Sequence, residues 1–403
     1  MLKNTFKKFI PSIFFLMGII ALTLALRRFD IFWLTLGAIS FLLMLALERV
    51  NESYYLKTKL IILLLFPLFL GMSGISQGIE DLLFGVDIAF ILITPTLGFI
   101  IMLNLHNYTS FKTNLHFALF FVTIFSLAVG AFIGIGEYLS DQYFGTVFLE
   151  SNYDLMIDFL SITIFSGTMG IVFKNYLKDP KYNTLKSIDD SFEFDSEKTG
   201  KTVTDLLLSG FGKKDHKWAP LFSRLIQIVI IGFSMYALYE GNIRWFFTAV
   251  LSFSVTMVPY IFTRDMNIVI PPILNLWICS ALFFHVLGGI RGYYDYLWWW
   301  DNFTHFLSAA LISILGFTVL LTINQLSDSI HITSNLIPII LLLFILATGV
   351  VWEIFELFSD ILVGTNMQYS LADTVQDLMF NAIGAVFAAT IGYKYFPSKY
   401  WQR

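Results

Sequence analysis

Acidic residues and a histidine recur at helical spacing within apolar stretches of the C-terminal part of this sequence. Within each group the residues lie three, four or seven positions apart, which places them on one face of a helix. The groups are Asp301 with His305, then Glu353 with Glu356 and Asp360, and then Asp373 with Asp377 and Asn381. Carboxylate oxygens together with an imidazole nitrogen are suitable ligands for a divalent cation such as Mg²⁺, Mn²⁺ or Zn²⁺.

Carboxylates inside apolar stretches normally face the interior of a helix bundle or a wet cavity, because each costs roughly 2.5–3.5 kcal/mol at mid-membrane on insertion scales. We therefore predict a metal site with the ligands Asp301, His305, Glu353, Glu356, Asp373 and Asp377. The predicted supporting residues are Asp360, Gly364 and Asn381. An alternative is that Asp301 and Asp373 only cap their helices, with Gln376 completing a capping box, while Glu353 and Asp360 contact headgroups or water.

The composition indicates that these residues lie on membrane-embedded elements. Of the 403 residues, 57% are hydrophobic and 13% are charged, whereas soluble proteins are about 25% charged. So few polar residues cannot cover a water-facing surface, which predicts a lipid-solvated, polytopic membrane protein. A net charge of −4 without a concentrated basic stripe argues against nucleic-acid binding. The single cysteine, Cys279, excludes an intrachain disulfide and a Cys-ligated zinc site.

Twelve apolar stretches approach the roughly 20 residues that a membrane-spanning helix needs. They begin near residues 8, 30, 57, 87, 115, 154, 221, 243, 268, 301, 335 and 373. They predict an all-α transmembrane bundle. Lys and Arg are concentrated in alternate loops, so the positive-inside rule predicts a multi-pass protein of the plasma or inner membrane with both termini cytoplasmic. In this topology the acidic groups lie at the outward ends of their helices.

A gapless internal repeat divides the twelve predicted spans into six and six. The residues Glu137, Asp141, Gly145, Thr146, Asp154 and Asp158 recur 219 positions later as Glu356, Asp360, Gly364, Thr365, Asp373 and Asp377. Two six-helix repeats with an even number of spans would run parallel, related by an axis along the membrane normal. We therefore predict an N-terminal repeat over residues 1–175, a cytoplasmic linker over 176–220 and a C-terminal repeat over 221–403. Glu137, Asp141, Asp154 and Asp158 would form the second-copy site.

Three further features leave two interpretations each. The linker segment 203–211 (VTDLLLSGF) is either an amphipathic helix on the inner leaflet or a solvated strap. The aromatic run from Tyr293 to Trp300 is either an interfacial belt or a platform for a substrate. His285, near the outer end of the predicted ninth span, either joins the acidic site or is satisfied by a neighbouring helix.

The region from about residue 221 to 397 resembles the YjdF-like family of bacterial inner-membrane proteins, which has no established activity. The motifs that carry the resemblance are Asp301-x-x-x-His305-Phe306, Glu353-Ile-Phe-Glu356, Gly364-Thr365 and the segment from Asp373 to Met379. A looser similarity joins it to VanZ-like membrane proteins of the cell envelope, through Asp301 and His305, Glu353 and Glu356, and Asp377 and Asn381 followed by Gly384-Ala385. The first repeat has Asp87 in place of the histidine and Ile162 in place of Asn381, so it looks like a diverged copy.

Two functions compete, beside a third in which the acidic residues only cap and orient helices. In the first, an outward-facing acidic and histidine pocket binds or transports a cation or an amphipathic envelope compound. In the second, a membrane-embedded metal-dependent enzyme acts on a lipid-linked substrate at the outer leaflet, with His305 or Glu353 as its general acid or base. Whether the protein is an enzyme, what its substrate is and which oligomer it forms stay open at this stage.

Overall fold

The fold is entirely helical over the residues that the computed structural model describes, which are 19, 20, 22, 23, 26, 31–48, 54–75, 87–177, 196–211 and 217–396. Within these ranges the backbone forms fourteen α-helices and no strand beyond an isolated antiparallel bridge between Lys112 and His331. The all-α prediction is therefore confirmed for this part of the chain. The first predicted span and much of the predicted linker lie outside the described residues.

The chain divides into two units. Unit 1 is formed by the described residues within Met1–Ser191, Ser329–His331 and Leu346–Thr374, and unit 2 by those within Phe192–Asp328, Ile332–Ile345 and Val375–Arg403. The helices assigned wholly to unit 1 are α1 (Ile31–Glu48), α2 (Tyr54–Ser73), α3 (Ile88–Tyr108), α4 (Leu115–Phe144) and α5 (Asn152–Leu177).

Unit 2 holds the next seven helices, and the last two helices contribute residues to both units. Those of unit 2 are α6 (Ser196–Phe211), α7 (Ala219–Tyr239), α8 (Ile243–Thr256), α9 (Val258–Asp265), α10 (Pro272–Arg291), α11 (Tyr293–Tyr296) and α12 (Trp300–Leu326). Helix α13 is Ile337–Val363 and helix α14 is Leu371–Tyr395. Their boundaries between the units lie at residues 345/346 and 374/375.

Small residues permit a close helix crossing in unit 1. Gly130 and Gly134 are one turn apart on α4, and a Cβ atom on them would lie 2.7 Å from Ile162 Cδ1 and 2.5 Å from Leu155 Cδ1 of α5. Two small residues at this spacing let the backbones of membrane helices approach closely, which is how such helices associate without a hydrophobic driving force. The glycines therefore fix α4 against α5 in unit 1.

Nine helices among the described residues are long and apolar enough to cross a membrane. They are α3, α4, α5, α7, α10, α12, α13, α14 and the continuous pair α8 and α9. The stretches Phe32–Leu43 and Leu63–Ser73, within α1 and α2, are apolar but shorter. Many large apolar side chains on these helices are exposed, as expected for a surface that contacts lipid. The chain is thus a multi-pass membrane protein, while the count of twelve spans stays a prediction.

Helix α6 lies in the segment that was predicted to be a linker, and it packs within unit 2. Leu206 and Leu207 are buried, and Leu207 joins a core cluster with residues of α10, α12 and α14. The hydroxyl of Thr204 accepts a hydrogen bond of 2.9 Å from the backbone nitrogen of Val269. Of the two interpretations, the amphipathic helix is the one that the fold adopts, although its apolar face meets protein.

The two loops related by the internal repeat have the same hydrogen-bond pattern, and both belong to unit 1. Asp141 accepts hydrogen bonds from the Thr146 hydroxyl and from the backbone nitrogens of Phe148 and Leu149. Asp360 accepts from the residues 219 positions later, which are Thr365, Met367 and Gln368. Gly145 and Gly364 have positive φ angles of 66° and 69°, which glycine adopts without steric cost. This equivalence is local, and the arrangement of two six-helix repeats about an axis stays a prediction.

Candidate metal site in unit 2

Three of the predicted ligands lie together in unit 2. Asp301 and His305 stand one turn apart on α12, and Asp377 projects from α14. His305 Nε2 is 3.5 Å from Asp301 Oδ1 and 3.7 Å from Asp377 Oδ2. One ligand atom from each residue can be chosen so that all three lie within 4.8 Å of one another. Among the residues that the structure describes, this is the one group of three such side chains with this geometry.

The trio lies away from bulk water at the start of α12. The side chains of Asp301, His305 and Asp377 are 22%, 11% and 3% exposed. Two carboxylates in so dry a setting repel one another, and a nearby positive charge is needed for both to remain ionised. A protonated His305 or a bound cation would supply that charge, and without either, one of the carboxyl groups holds a proton. The residue types fit a divalent metal, because two carboxylate oxygens and one imidazole nitrogen are ligands that Mn²⁺ and Zn²⁺ accept.

A close crossing between α12 and α14 holds the three side chains in reach of one another. Gly384 is two turns after Asp377, and a Cβ atom on it would lie 2.8 Å from the Phe306 carbonyl oxygen and 3.0 Å from Ala309 Cβ. Only glycine permits this approach of the two backbones. Beside the trio, the predicted supporting residue Asn381 is buried on α14, one turn after Asp377, and its side chain lies near His305.

Glu353 and Glu356, also predicted as ligands, belong to unit 1. Glu353 is fully buried, and its carboxylate Oε2 and backbone oxygen accept hydrogen bonds of 3.2 and 3.0 Å from Gln368 Nε2. Glu356 is buried as well, and its Oε1 accepts a hydrogen bond of 2.8 Å from Trp352 Nε1. Their predicted role as metal ligands stays untested by these contacts.

Asp360, Gly364 and Asp373 also belong to unit 1, where they shape the loop before α14. Asp360 and Gly364 form the hydrogen-bonded turn described above. Asp373 accepts a hydrogen bond from the Tyr369 nitrogen, while its own nitrogen donates to Ser370 Oγ at 3.2 Å. Ser370 is therefore the residue that caps α14, because its hydroxyl accepts the hydrogen bond from the Asp373 nitrogen. The N-cap of α14 is thus Ser370, three residues before Asp373, for which that role was an alternative prediction.

The N-cap interpretation of Asp301 also differs from the structure. Helix α12 begins at Trp300, and its N-cap residue is Trp299, which makes no side-chain capping bond. Asp301 lies in the first turn of the helix, where a negative charge is favoured by the helix dipole. Its side chain is thus available to face His305.

The second-copy residues Glu137, Asp141, Asp154 and Asp158 lie on α4 and α5 of unit 1. Asp141 closes its loop, and Asp154 accepts hydrogen bonds from the nitrogen and hydroxyl of Ser151. No group of three ligand side chains at metal-binding distance includes any of the four within the described ranges. The contacts of Asp141 and Asp154 are those of loop and helix-start residues.

Comparison with known proteins shows that the segment carrying the trio is similar to a recognised sequence family. The model of the family described as "Predicted membrane protein (DUF2238)" matches residues 221–398. The C-terminal segment is similar to that family. This DUF2238-like segment, defined as residues 221–398, contains Asp301, His305 and Asp377, and it coincides with the region that resembles YjdF-like proteins.

An uncharacterised protein of Thermotoga maritima is similar to part of the chain. The two are 29% identical over 149 residues, which is 36% of this chain and 74% of the relative. No solved structure matches the chain significantly. Neither sequence match bears on the looser VanZ-like resemblance, which stays a prediction.

Several polar residues near the trio in the DUF2238-like segment were not among the predicted site residues. Asn302 is 6% exposed, and its Nδ2 donates a hydrogen bond of 3.3 Å to Gln376 Oε1, so neighbours of Asp301 and Asp377 join α12 to α14. The Tyr294 hydroxyl donates a hydrogen bond to Thr304, and the Thr304 hydroxyl donates one to the backbone oxygen of Asp301. Asn302 follows Asp301, and Gln376 precedes Asp377, so their positions beside predicted ligands were the available signal. The pairing itself depends on the helix crossing.

Proposed function

We propose that this membrane protein binds a divalent cation, Mg²⁺, Mn²⁺ or Zn²⁺, at Asp301, His305 and Asp377. The observation that carries the proposal is the convergence of three potential ligand atoms within 4.8 Å in a largely buried part of unit 2. A cation there offsets the repulsion between two buried carboxylates. Mn²⁺ and Zn²⁺ suit the mixed oxygen and nitrogen donors best, because Mg²⁺ is bound mostly through oxygen.

In the proposed physiological role, the site captures a cation or a cationic amphipathic envelope compound for binding or transport. Two features support transport. The site lies among membrane-spanning helices, where ionisable residues usually mark an ion pathway. The repeated sequence and the matching loops at Asp141 and Asp360 fit a duplicated six-helix architecture, which is common among transporters. The outward-facing site and cytoplasmic termini are part of this proposal and rest on the distribution of Lys and Arg.

A metal-dependent enzyme is the second candidate, and the number of protein ligands favours it. Catalytic zinc sites usually have three protein ligands, which leave a coordination position for water or substrate. The trio provides three, so a bound metal there would have an open position. In this candidate the metal activates water for attack on a lipid-linked substrate at the outer leaflet. The acid or base role predicted for His305 or Glu353 belongs to this alternative.

Metal analysis of the purified full-length protein tests cation binding directly. After incubation with Mn²⁺ and removal of free metal, we expect about one retained ion per chain. Asp377→Asn should reduce the retained Mn²⁺ strongly, because it removes a charged ligand from the trio. Asp295→Asn is the matched control, since Asp295 is exposed on α11, at the same end of unit 2. Equal Mn²⁺ content in wild type and Asp377→Asn would contradict the proposed site.

Reconstitution into liposomes separates transport from binding. The wild-type protein should accelerate Mn²⁺ entry when the ion is supplied outside, and His305→Gln should abolish that flux while Asp295→Asn retains it. Retained Mn²⁺ without any flux would contradict transport and favour the enzyme. Hydrolysis of a lipid-linked phosphate or ester by the metal-loaded protein would then be the activity to assay.

A further inference from the structure

A chain of hydrogen bonds connects Asp301 to helices α10 and α11, which carry none of the three candidate ligands. His285 Nδ1 on α10 lies 2.9 Å from the Tyr294 hydroxyl on α11. The Tyr294 hydroxyl is 3.4 Å from Thr304 Oγ1, which donates a 2.9 Å hydrogen bond to the backbone oxygen of Asp301. These contacts all lie in unit 2.

The chain has one consistent direction. When the ring proton is on His285 Nδ1, His285 donates to Tyr294, Tyr294 donates to Thr304, and Thr304 donates to Asp301. The chain therefore ties the first turn of α12, which carries the Asp301 side chain, to α10 and α11. Carboxylates and imidazoles that bind metals are usually oriented by such partners, whose loss typically lowers metal affinity 10–100-fold.

Two glycines of the backbone near Tyr294 allow its side chain to lie against α10. Gly292 ends α10 with a φ angle of 69°, and this left-handed residue turns the chain so that α11 folds back beside α10. A Cβ atom on Gly288 would lie 2.6 Å from Tyr294 Cε2 and 2.2 Å from Trp300 Nε1. Glycine at position 288 therefore leaves the space in which Tyr294 stands against α10. The ring of His285 is flanked by those of Trp245 and Tyr294, at centroid distances of 6.0 and 5.9 Å.

We propose that Tyr294, held by His285, is a positioning residue for cation binding: through Thr304 it fixes the first turn of α12 and thereby the position from which the Asp301 carboxylate extends. This inference rests on the proposed cation site. It assigns His285 to the support of a ligand. It also gives the aromatic segment before α12 a role beyond an interfacial belt.

Titration calorimetry of the full-length protein with Mn²⁺ tests the inference. Tyr294→Phe removes one oxygen atom and keeps the ring, so the expected result is a loss of about tenfold or more in Mn²⁺ affinity. Tyr296→Phe is the matched control, because Tyr296 lies on the same short helix and is 64% exposed. Its affinity should equal that of the wild type. Thr304→Val should behave like Tyr294→Phe, whereas Thr304→Ser, which keeps the hydroxyl, should retain affinity.

A second measurement separates positioning from a general effect on stability. The EPR spectrum of bound Mn²⁺ reports the symmetry of its ligands, so it should change in Tyr294→Phe and remain unchanged in Tyr296→Phe. Wild-type affinity and an unchanged spectrum in Tyr294→Phe would overturn the inference while leaving the cation site intact. If the wild-type protein itself binds no Mn²⁺, the proposed function fails and the inference fails with it. If Thr304→Val does not fold, the Tyr294→Phe result decides.

Discussion

Asp141 and Asp360, which lie 219 positions apart, each accept hydrogen bonds from a threonine hydroxyl and two backbone nitrogens of the loop that follows their helix. In each loop a glycine with a positive φ angle starts the turn. The aspartate thereby supplies the partners that the loop backbone would otherwise seek from water near the membrane surface. Loop structure is thus sufficient to explain Asp141 and Asp360 of the repeated pattern.

Removal of the Asp360 carboxylate should destabilise the protein. Asp360→Ala removes an acceptor shared by two backbone nitrogens and one hydroxyl, and hydrogen bonds to charged groups contribute about 1.5–3 kcal/mol each at most. Because water can replace part of these contacts, we expect a loss of about 2 kcal/mol in the free energy of unfolding. Thermal unfolding in detergent, followed by tryptophan fluorescence, measures it. Ser359→Ala is the control, since Ser359 is only half-buried and its hydroxyl bonds to the Phe355 backbone oxygen within the helix. Equal stability of the two variants would refute the loop role.

The spacing of residues within the two loops and within the pair Asp301 and His305 is visible in the sequence, although the predicted ligand set was larger than the trio. Both depend on residues a few positions apart, such as Asp360 with Thr365 or Asp301 with His305, whose relation a helix or a tight turn fixes locally. Asp377 joins this pair when two apolar helices that carry acidic residues in their first turns pack against one another. Helical class and most span positions follow from hydrophobic length in the same way.

The remaining features depend on tertiary contacts that spacing does not encode. Gln368 is an unremarkable loop residue in the sequence, yet its amide reaches Glu353 because Asp360 holds the loop in one conformation. Helix α6 carries Lys198 and Lys201 beside Leu206 and Leu207, a mixture that suits a linker as well as a docked amphipathic helix. Which of these forms depends on the surface that receives the leucines, and a single sequence does not display that surface.

The contact between Gln368 and Glu353 should show strong coupling. Gln368→Leu removes a donor from a fully buried carboxylate, so we expect a loss of about 1–3 kcal/mol in the free energy of unfolding. Glu353→Gln removes the charge that the donor stabilises. In a double-mutant cycle, Gln368→Leu should therefore cost less in the Glu353→Gln background than in the wild type. Chemical denaturation in detergent gives the four values. Strict additivity would show that the 3.2 Å contact carries no interaction energy.

The helix crossing beneath the trio predicts a paired effect on stability and metal binding. Gly384→Ala places a Cβ atom 2.8 Å from the backbone oxygen of Phe306, which cannot move aside as a side chain would. Overpacking of this kind costs about 1–3 kcal/mol. The displacement of α14 should also lower Mn²⁺ affinity, because Asp377 lies two turns before Gly384 on the same helix. Gly232→Ala on α7 is the control, since a Cβ atom there meets nothing within 4 Å. If the Gly384→Ala protein has wild-type stability and Mn²⁺ affinity, the close crossing of α12 and α14 does not determine the geometry of the site.

The docking of α6 predicts a change in protease sensitivity. A Cβ atom on Gly200 would lie 2.4 Å from the backbone oxygen of Met266, so Gly200→Val should push the start of α6 away from the loop that Thr204 holds. Loss of that contact raises the population in which α6 opens locally, and a protease cleaves the opened chain. Trypsin should then cleave after Lys198 and Lys201 several times faster than in the wild type, as followed by mass spectrometry. Thr202→Ala is the control, because the Thr202 hydroxyl bonds only to Lys198 within α6 and its loss leaves the docked face intact. If Gly200→Val is cleaved at the wild-type rate, the close approach of α6 to Met266 does not hold the helix in place.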